Sequence, residues 1–224
     1  MSLVVMAHPE RAHLALPLAR RVAADNVVFD PGFDPGGLLP YRDGPPIEPN
    51  ALRCARWAWR EAATGPEDWA CVLQDDVLAP LGFRPPFIQD VYREAQEHGP
   101  SVVSFYYGAQ SATGQRVRSS FLRTDGAHGL VAKMQGEYLS TVAAVAPKGV
   151  VHDWLAFSRL PYWSTNARDD ECWGAFLDSR PDLGAFATYP CYIGHDDDVP
   201  SVAGNSDHGP RRAAVPPPER VPAW

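Results

Sequence analysis

Residues 2–30 read SLVVMAHPERAHLALPLARRVAADNVVFD. The run SLVVMA (2–7) has the unbroken apolar character of a strand covered on both faces. RAHLALPLARRVAA (11–24) sets Leu14, Leu16, Leu18 and Val22 at helical spacing, with Pro17 as the residue that resists it. NVVFD (26–30) is a second apolar run, closed by an acid. Strand, helix and strand in so short a span make a βαβ unit, which requires parallel strands and a right-handed crossover. The fold class that follows is α/β, with a Rossmann-like, mainly parallel central sheet flanked by helices.

The remaining chain extends this pattern. Helices are expected over NALRCARWAWREAAT (50–64, capped by Asn50), PFIQDVYREAQEH (86–98), GVVHDWLAFSR (149–159) and DDECWGAFLDSR (169–180). Strands are expected over WACVLQ (69–74), SVVSFYY (101–107) and YLSTVAAVAP (138–147). PGFDPGGLLPYRDGPP (31–46) reads as a loop, and GAQSATGQRVRSSFLRTDG (108–126) as a long loop or hairpin. The closing HGPRRAAVPPPERVPAW (208–224) is Pro-rich and expected to be irregular. No internal repeat is visible.

Length and charge set bounds. The 224 residues suit one sizeable domain, or a domain with a tail. A net charge of −7 argues against a non-specific polyanion binder and leaves room for a local basic patch. No apolar run is long enough to span a bilayer, and MSLVVMAHPER lacks the basic start and long apolar region of a signal peptide. Cys54, Cys71, Cys172 and Cys191 are scattered without CxxC spacing, which favours reduced structural thiols and a cytoplasmic setting.

The chemistry gathers in acids. In EDWACVLQDDVLAP (67–80) a buried-type strand stops at Asp75 and Asp76. In an open α/β sheet, ligands bind outside the carboxyl ends of the strands. Two adjacent carboxylates there repel each other unless a cation is present, and their oxygens suit Mg²⁺ or Mn²⁺. The same pair would also suit an exposed turn or a cap. YPCYIGHDDDVPSVAGN (189–205) places His195 before three aspartates, either a solvated acidic loop or the completion of a metal site from far along the chain. ARDDECW (167–173) puts a third acidic group at a helix start, where it would also simply stabilise the helix end.

Taken in order, AHPER, the strand ending in FD, LRCARWAWREA, VLQDDVLAPLGF, SVVSFYYG, DDECWGAF and IGHDDDVPSVAG resemble the GT-A-fold glycosyltransferases, metal-dependent enzymes with a DxD-type acidic signature, in their small bacterial and phage-type form. The resemblance covers roughly residues 2–205 and lies in the order of elements. It implies a single catalytic domain over 1–208 with a tail over 209–224. One position departs from the signature, with Gln74 where Asp or Glu is usual. The resemblance implies a nucleoside-diphosphate-sugar donor, UDP-sugar foremost, and transfer with inversion. Asp76 and His195 would hold Mn²⁺ or Mg²⁺, with Asp75 nearer the ribose or sugar. Ala7, His8, Arg11, Asp30, Arg53 and Ser201 would line the donor site. Asp170 would be the general base, with Asp169 as the second choice.

The sequence says less about the acceptor. Arg116, Arg118, Arg123 and Lys133, with Arg211 and Arg212, would form a basic edge suited to a phosphate-bearing acceptor, including a hydroxylated base in DNA flipped out of the duplex, or would be an ordinary polar loop. Arg53 and Arg56 lie on a helix running toward the signature, and Trp57, Trp59 and Trp69 read as core. Two other classes stay open. A metal-dependent nucleotidyltransferase or phosphohydrolase would use the same acids, although AHPERAH (7–13) is not a Gly-rich phosphate loop. A non-catalytic module would bind nucleotide sugars without turnover.

Overall fold

A computed structural model describes residues 1–30, 51–164, 168–196 and 212–222. The opening segment folds as its pattern demands. Strand β1 (Ser2–Ala7) leads into a short 3-10 turn (Pro9–Arg11) and helix α1 (Ala12–Val22), which returns to strand β2 (Asn26–Phe29), parallel to β1. Successive side chains of β1 point to opposite faces. Leu3 and Val5 enter one core and Val4 and Met6 the other, which is why the run carries no polar alternation. Pro17 is accommodated inside α1, whose buried face is Ala15, Leu18, Ala19 and Val22.

The other elements are α2 (Ala51–Thr64), β3 (Trp69–Gln74), β4 (Val77–Leu78), α3 (Pro85–Gln96), β5 (Ser101–Ser104), α4 (Ala112–Arg123), β6 (Gly129–Ala132), β7 (Ala143–Pro147), α5 (Lys148–Phe157), α6 (Asp169–Asp178), β8 (Gly184–Tyr189) and β9 (Gly194–His195). Seven strands form one sheet in the order β2-β1-β3-β7-β5-β8-β6, and β4 and β9 pair separately. Strands β1, β2, β3, β5 and β8 run one way, while β7 and β6 oppose them. The architecture is therefore α/β, with a mostly parallel sheet between helical layers. One apolar core lies under α1 and α3. A second lies under α2, α5 and α6, where Trp154 and Trp173 stack at 4.6 Å and Trp59 leans on both, and a smaller third joins Val117 of α4 to Val131, Ala187 and Val215. Trp59 is core as expected, whereas Trp57 is 40% exposed with Arg60 over its ring, and Trp69 is half-buried against Tyr92.

Several expectations are corrected. Residues 112–123 form helix α4, not a loop or hairpin. Ser111 caps it by accepting from the Gly114 amide, and the Glu137 carboxylate accepts from the amides of Ala112 and Thr113 and from the Thr113 hydroxyl. Those bonds satisfy orphan amides of the first turn. Strand β5 stops at Ser104, whose hydroxyl donates to the carbonyls of Tyr106 and Ser140. Strand β7 begins only at Ala143, and β6 and β8 are additional strands. The expected cap Asn50 and the 31–46 loop lie outside the described residues.

Residues 212–222 are irregular, as their prolines predict, yet they are docked on the domain. The Ala109 amide donates to the Arg212 carbonyl, Ala214 to Tyr107, Leu81 to Glu219 and Val221 to Leu81, while Ala214 and Val215 are buried. All four cysteines are free and buried. Among the described residues, no helix is long and apolar enough to cross a membrane.

Candidate functional site

Strand β3 delivers Asp75 and Asp76 to the carboxyl end of the sheet, in the turn before β4. Both are buried. The late segment is stitched to them by backbone. Val77 pairs with His195 and Leu78 with Gly194, and the Asp196 amide donates to the Asp76 carbonyl at 2.8 Å. This brings His195 Nε2 to 3.3 Å from Asp76 Oδ2.

Two buried carboxylates side by side need a compensating charge. Arg11, itself only 9% exposed, supplies it, with Nη1 3.0 Å from Asp75 Oδ1 and 3.0 Å from Asp76 Oδ2. Asp75 also accepts the His8 amide at 2.9 Å. The two acids answer differently to this setting. Burial pushes the Asp75 carboxyl above its ordinary value, with the Asp76 charge adding to it. Burial pushes Asp76 up as well, but its bond to His195 and the charges of His195 and Arg11 outweigh that and hold it below its ordinary value.

Asp30 closes β2 beside this pair. Its amide donates to the Ala7 carbonyl at 3.0 Å, and its carboxylate takes a fork of bonds from Arg53 Nε and Nη2 at 2.9–3.0 Å. Arg53 thus faces the strand ends. Arg56 does not, since its Nε donates to the Ser158 hydroxyl.

The second acid pair opens α6. Asp169 is buried and Asp170 half-buried. Burial raises Asp169, against a bond from Thr141 that lowers it. Asp170 is pushed up to about 7, first by burial and then by the neighbouring Asp169 charge. The Asp170 carboxylate accepts the Glu171 amide, and its backbone carbonyl accepts the Leu139 amide. Gln74 Nε2 lies 3.5 Å from Thr141 Oγ1, a long contact that connects the end of β3 to the residue bonding Asp169. A carboxylate in place of Gln74 would add a negative charge toward that buried acid. Burial pushes the Cys54 thiol up, and Asp30, Asp169 and Asp75 add to that, so all three acids lie within electrostatic reach of Cys54.

Two carboxylate oxygens, Asp76 Oδ1 and Asp169 Oδ2, are buried with no hydrogen-bond partner among the described residues. Such groups are rare, and a ligand or ion is one way to satisfy them. Among the described residues, no group of three or more His, Cys, Asp or Glu side chains is arranged to hold a metal ion. The pair Asp76–His195, with its open oxygen, still fits the protein's share of a hard-cation site, since Mg²⁺ commonly takes one or two carboxylates and draws its other ligands from phosphate and water.

Ser201 and Arg211 lie outside the described residues. In the basic stretch, Lys133 is spent internally, its ammonium bonding the carbonyls of Met134 and Glu137 and the Asp178 carboxylate. Arg116 donates to the Ala132 carbonyl, while Arg118 and Arg123 stand on the exposed side of α4. Thr141 and Glu137 were not foreseen, because their partners lie far from them in sequence and no local motif marks either residue. Neither a protein-family model nor a curated protein sequence matches the chain.

Proposed function

We propose that the chain is a GT-A-type glycosyltransferase that moves a sugar from a nucleoside-diphosphate sugar, by preference a UDP-sugar, to an acceptor hydroxyl with inversion. The observation that carries this reading is the divergence of the two acid groups. Asp76 is held ionised beside His195, while Asp170 is raised to about 7. Acids whose environments push their proton affinities apart serve different roles in one reaction. The position of both groups at the carboxyl ends of a mostly parallel sheet supports the same conclusion.

In this reading Asp76 and His195, with Asp75 beside them, would hold Mn²⁺ or Mg²⁺, which would supply positive charge for a departing diphosphate. Asp30, Arg53 and the Ala7–His8 backbone border the nucleoside. The ionised Asp170 carboxylate takes the acceptor hydroxyl's proton as that oxygen bonds to the anomeric carbon, and the sugar–phosphate bond breaks with its electron pair leaving on the diphosphate. Asp169, buried and bonded to Thr141, stands next to Asp170, whose carboxyl is raised by its own burial first and by the neighbouring Asp169 second.

A thermal-shift panel tests the class and donor together. UDP-, GDP- and CDP-sugars are compared with and without Mn²⁺, and the largest rise is expected with a UDP-sugar plus Mn²⁺. Stabilisation by GDP- or CDP-sugars alone would move the donor assignment. No response to any nucleotide sugar would sink the reading.

A further inference from the structure

We propose that Arg11 is the resident counter-cation of the Asp75–Asp76 pair, and that a divalent ion enters this site only by displacing its guanidinium. Arg11 then sets the affinity for metal. The proposal rests on the metal-dependent reading above and concerns a residue that reading leaves as a donor contact.

The geometry is specific. A single nitrogen, Nη1, bridges both acids at 3.0 Å to each, in a pocket where Arg11, Asp75 and Asp76 are all at most 9% exposed. The oxygen it takes from Asp76, Oδ2, is the one that faces His195. An ion drawing on both acids needs the volume that Nη1 fills, and at short range two positive groups on one oxygen repel each other strongly in a buried setting. Metal and guanidinium therefore exclude one another from this position.

The local backbone permits the exchange. Arg11 ends the 3-10 turn and stands at the N-cap of α1, and its long side chain reaches the acids from there. Rotation about side-chain bonds withdraws the guanidinium without moving the helix. The withdrawn cation is then available to the diphosphate, so the same charge that quiets the empty acids serves the loaded site.

Displacement must break the charge-assisted hydrogen bonds of Nη1 to both acids, and removing the competitor returns part of that cost to metal binding. Arg11→Met keeps much of the aliphatic stem without the charge, and Arg11→Lys keeps the charge without the fork. Mn²⁺ affinity of the full chain is measured by titration calorimetry, alongside the thermal midpoint with and without Mn²⁺. Arg11→Met is expected to bind Mn²⁺ about 10- to 100-fold more tightly than wild type. It should melt lower than wild type without the ion and regain more on adding it, with Arg11→Lys in between. Should Arg11→Met fold only with Mn²⁺, the proposal is supported; should it fold in neither condition, the affinity of Arg11→Lys decides. Wild-type binding with unchanged or weaker affinity in the variants overturns the proposal and leaves the metal-dependent reading standing. Absence of Mn²⁺ binding in all three proteins removes both.

Discussion

Gly174 lies against the backbone of Glu137 so closely that a Cβ at this position would come within 2.5 Å of the Glu137 carbonyl oxygen and 2.8 Å of the Tyr138 Cα. The glycine is therefore what lets α6 seat on the 137–139 segment. That seat is completed by the Leu139 amide bonding the Asp170 carbonyl, and it fixes where the second acid pair begins.

Gly174→Ala should force the helix and the segment apart. Overpacking of this kind costs about 1–3 kcal/mol, which lowers the thermal midpoint by about 2–10 °C in a chain of this size. Gly149 in α5 is the matched control, because a Cβ there meets nothing within 4 Å. Gly149→Ala should instead be neutral or stabilising by up to about 1 kcal/mol. Equal midpoints for the two variants would refute the seat.

The raised carboxyl of Asp170 has two pH consequences. In its proposed role of general base Asp170 works ionised, so kcat should rise with pH through about 7 and level off above it. Asp170→Asn should cut kcat by roughly 10²–10⁴-fold while leaving nucleotide-sugar affinity intact. Near-normal turnover in that variant would move the assignment to Asp169.

Stability should move in the opposite sense to activity. With its carboxyl at about 7, the folded chain holds a proton on Asp170 that the unfolded chain has already lost at lower pH. Asp170 therefore lowers stability progressively as pH rises from about 4 to 7. Asp170→Asn removes this penalty, so it should melt about 2–8 °C above wild type at pH 8, from about 1–2 kcal/mol, with the gain vanishing near pH 4. A constant difference across that range would argue against the shift.

The basic stretch divides by role. Lys133→Ala should destabilise the chain, since it strips three oxygen acceptors of a buried ammonium. Arg118→Ser and Arg123→Ser should change stability by no more than about 0.5 kcal/mol. If a phosphate-bearing acceptor such as DNA docks on α4, those two changes should raise its KM and flatten a steep salt dependence, with donor binding unchanged. A salt-independent acceptor KM in wild type would favour a neutral acceptor.

How far the sequence could be read follows from where each signal resides. The β1–α1–β2 unit was legible because its strands are apolar on both sides and its helix carries one apolar stripe. Helix α4 was not, because Val117 is the one large aliphatic on its buried face, beside Thr113, Gly114 and Ser120, and part of its cap arrives from Glu137 in a later segment. Strand β8 opens with Gly184, which looks like a turn. In the fold it is a requirement of contact, since a Cβ there would stand 2.5 Å from Ser101 Oγ. The acids Asp75, Asp76, Asp169 and Asp170 were visible as clusters. What Arg11, Gln74 and Thr141 do to them was not, because those relations exist only once strands distant in sequence lie side by side.

The β4–β9 pairing and the docked 212–222 segment bear on biosynthesis. His195 reaches Asp76 through a ladder whose second strand is residues 194–195, and β4 and the segment after it are in turn gripped by the chain near Glu219 and Val221. Gly194 is packed between Leu78 and Pro217. A nascent chain can form β1, α1, β2 and β3 early, but it cannot enclose Asp75 and Asp76 until this late stretch has left the ribosome. Until then the acids have Arg11 and the His8 amide but not His195, and a polypeptide stopped before residue 212 would carry the sheet and lack the segment that grips β4.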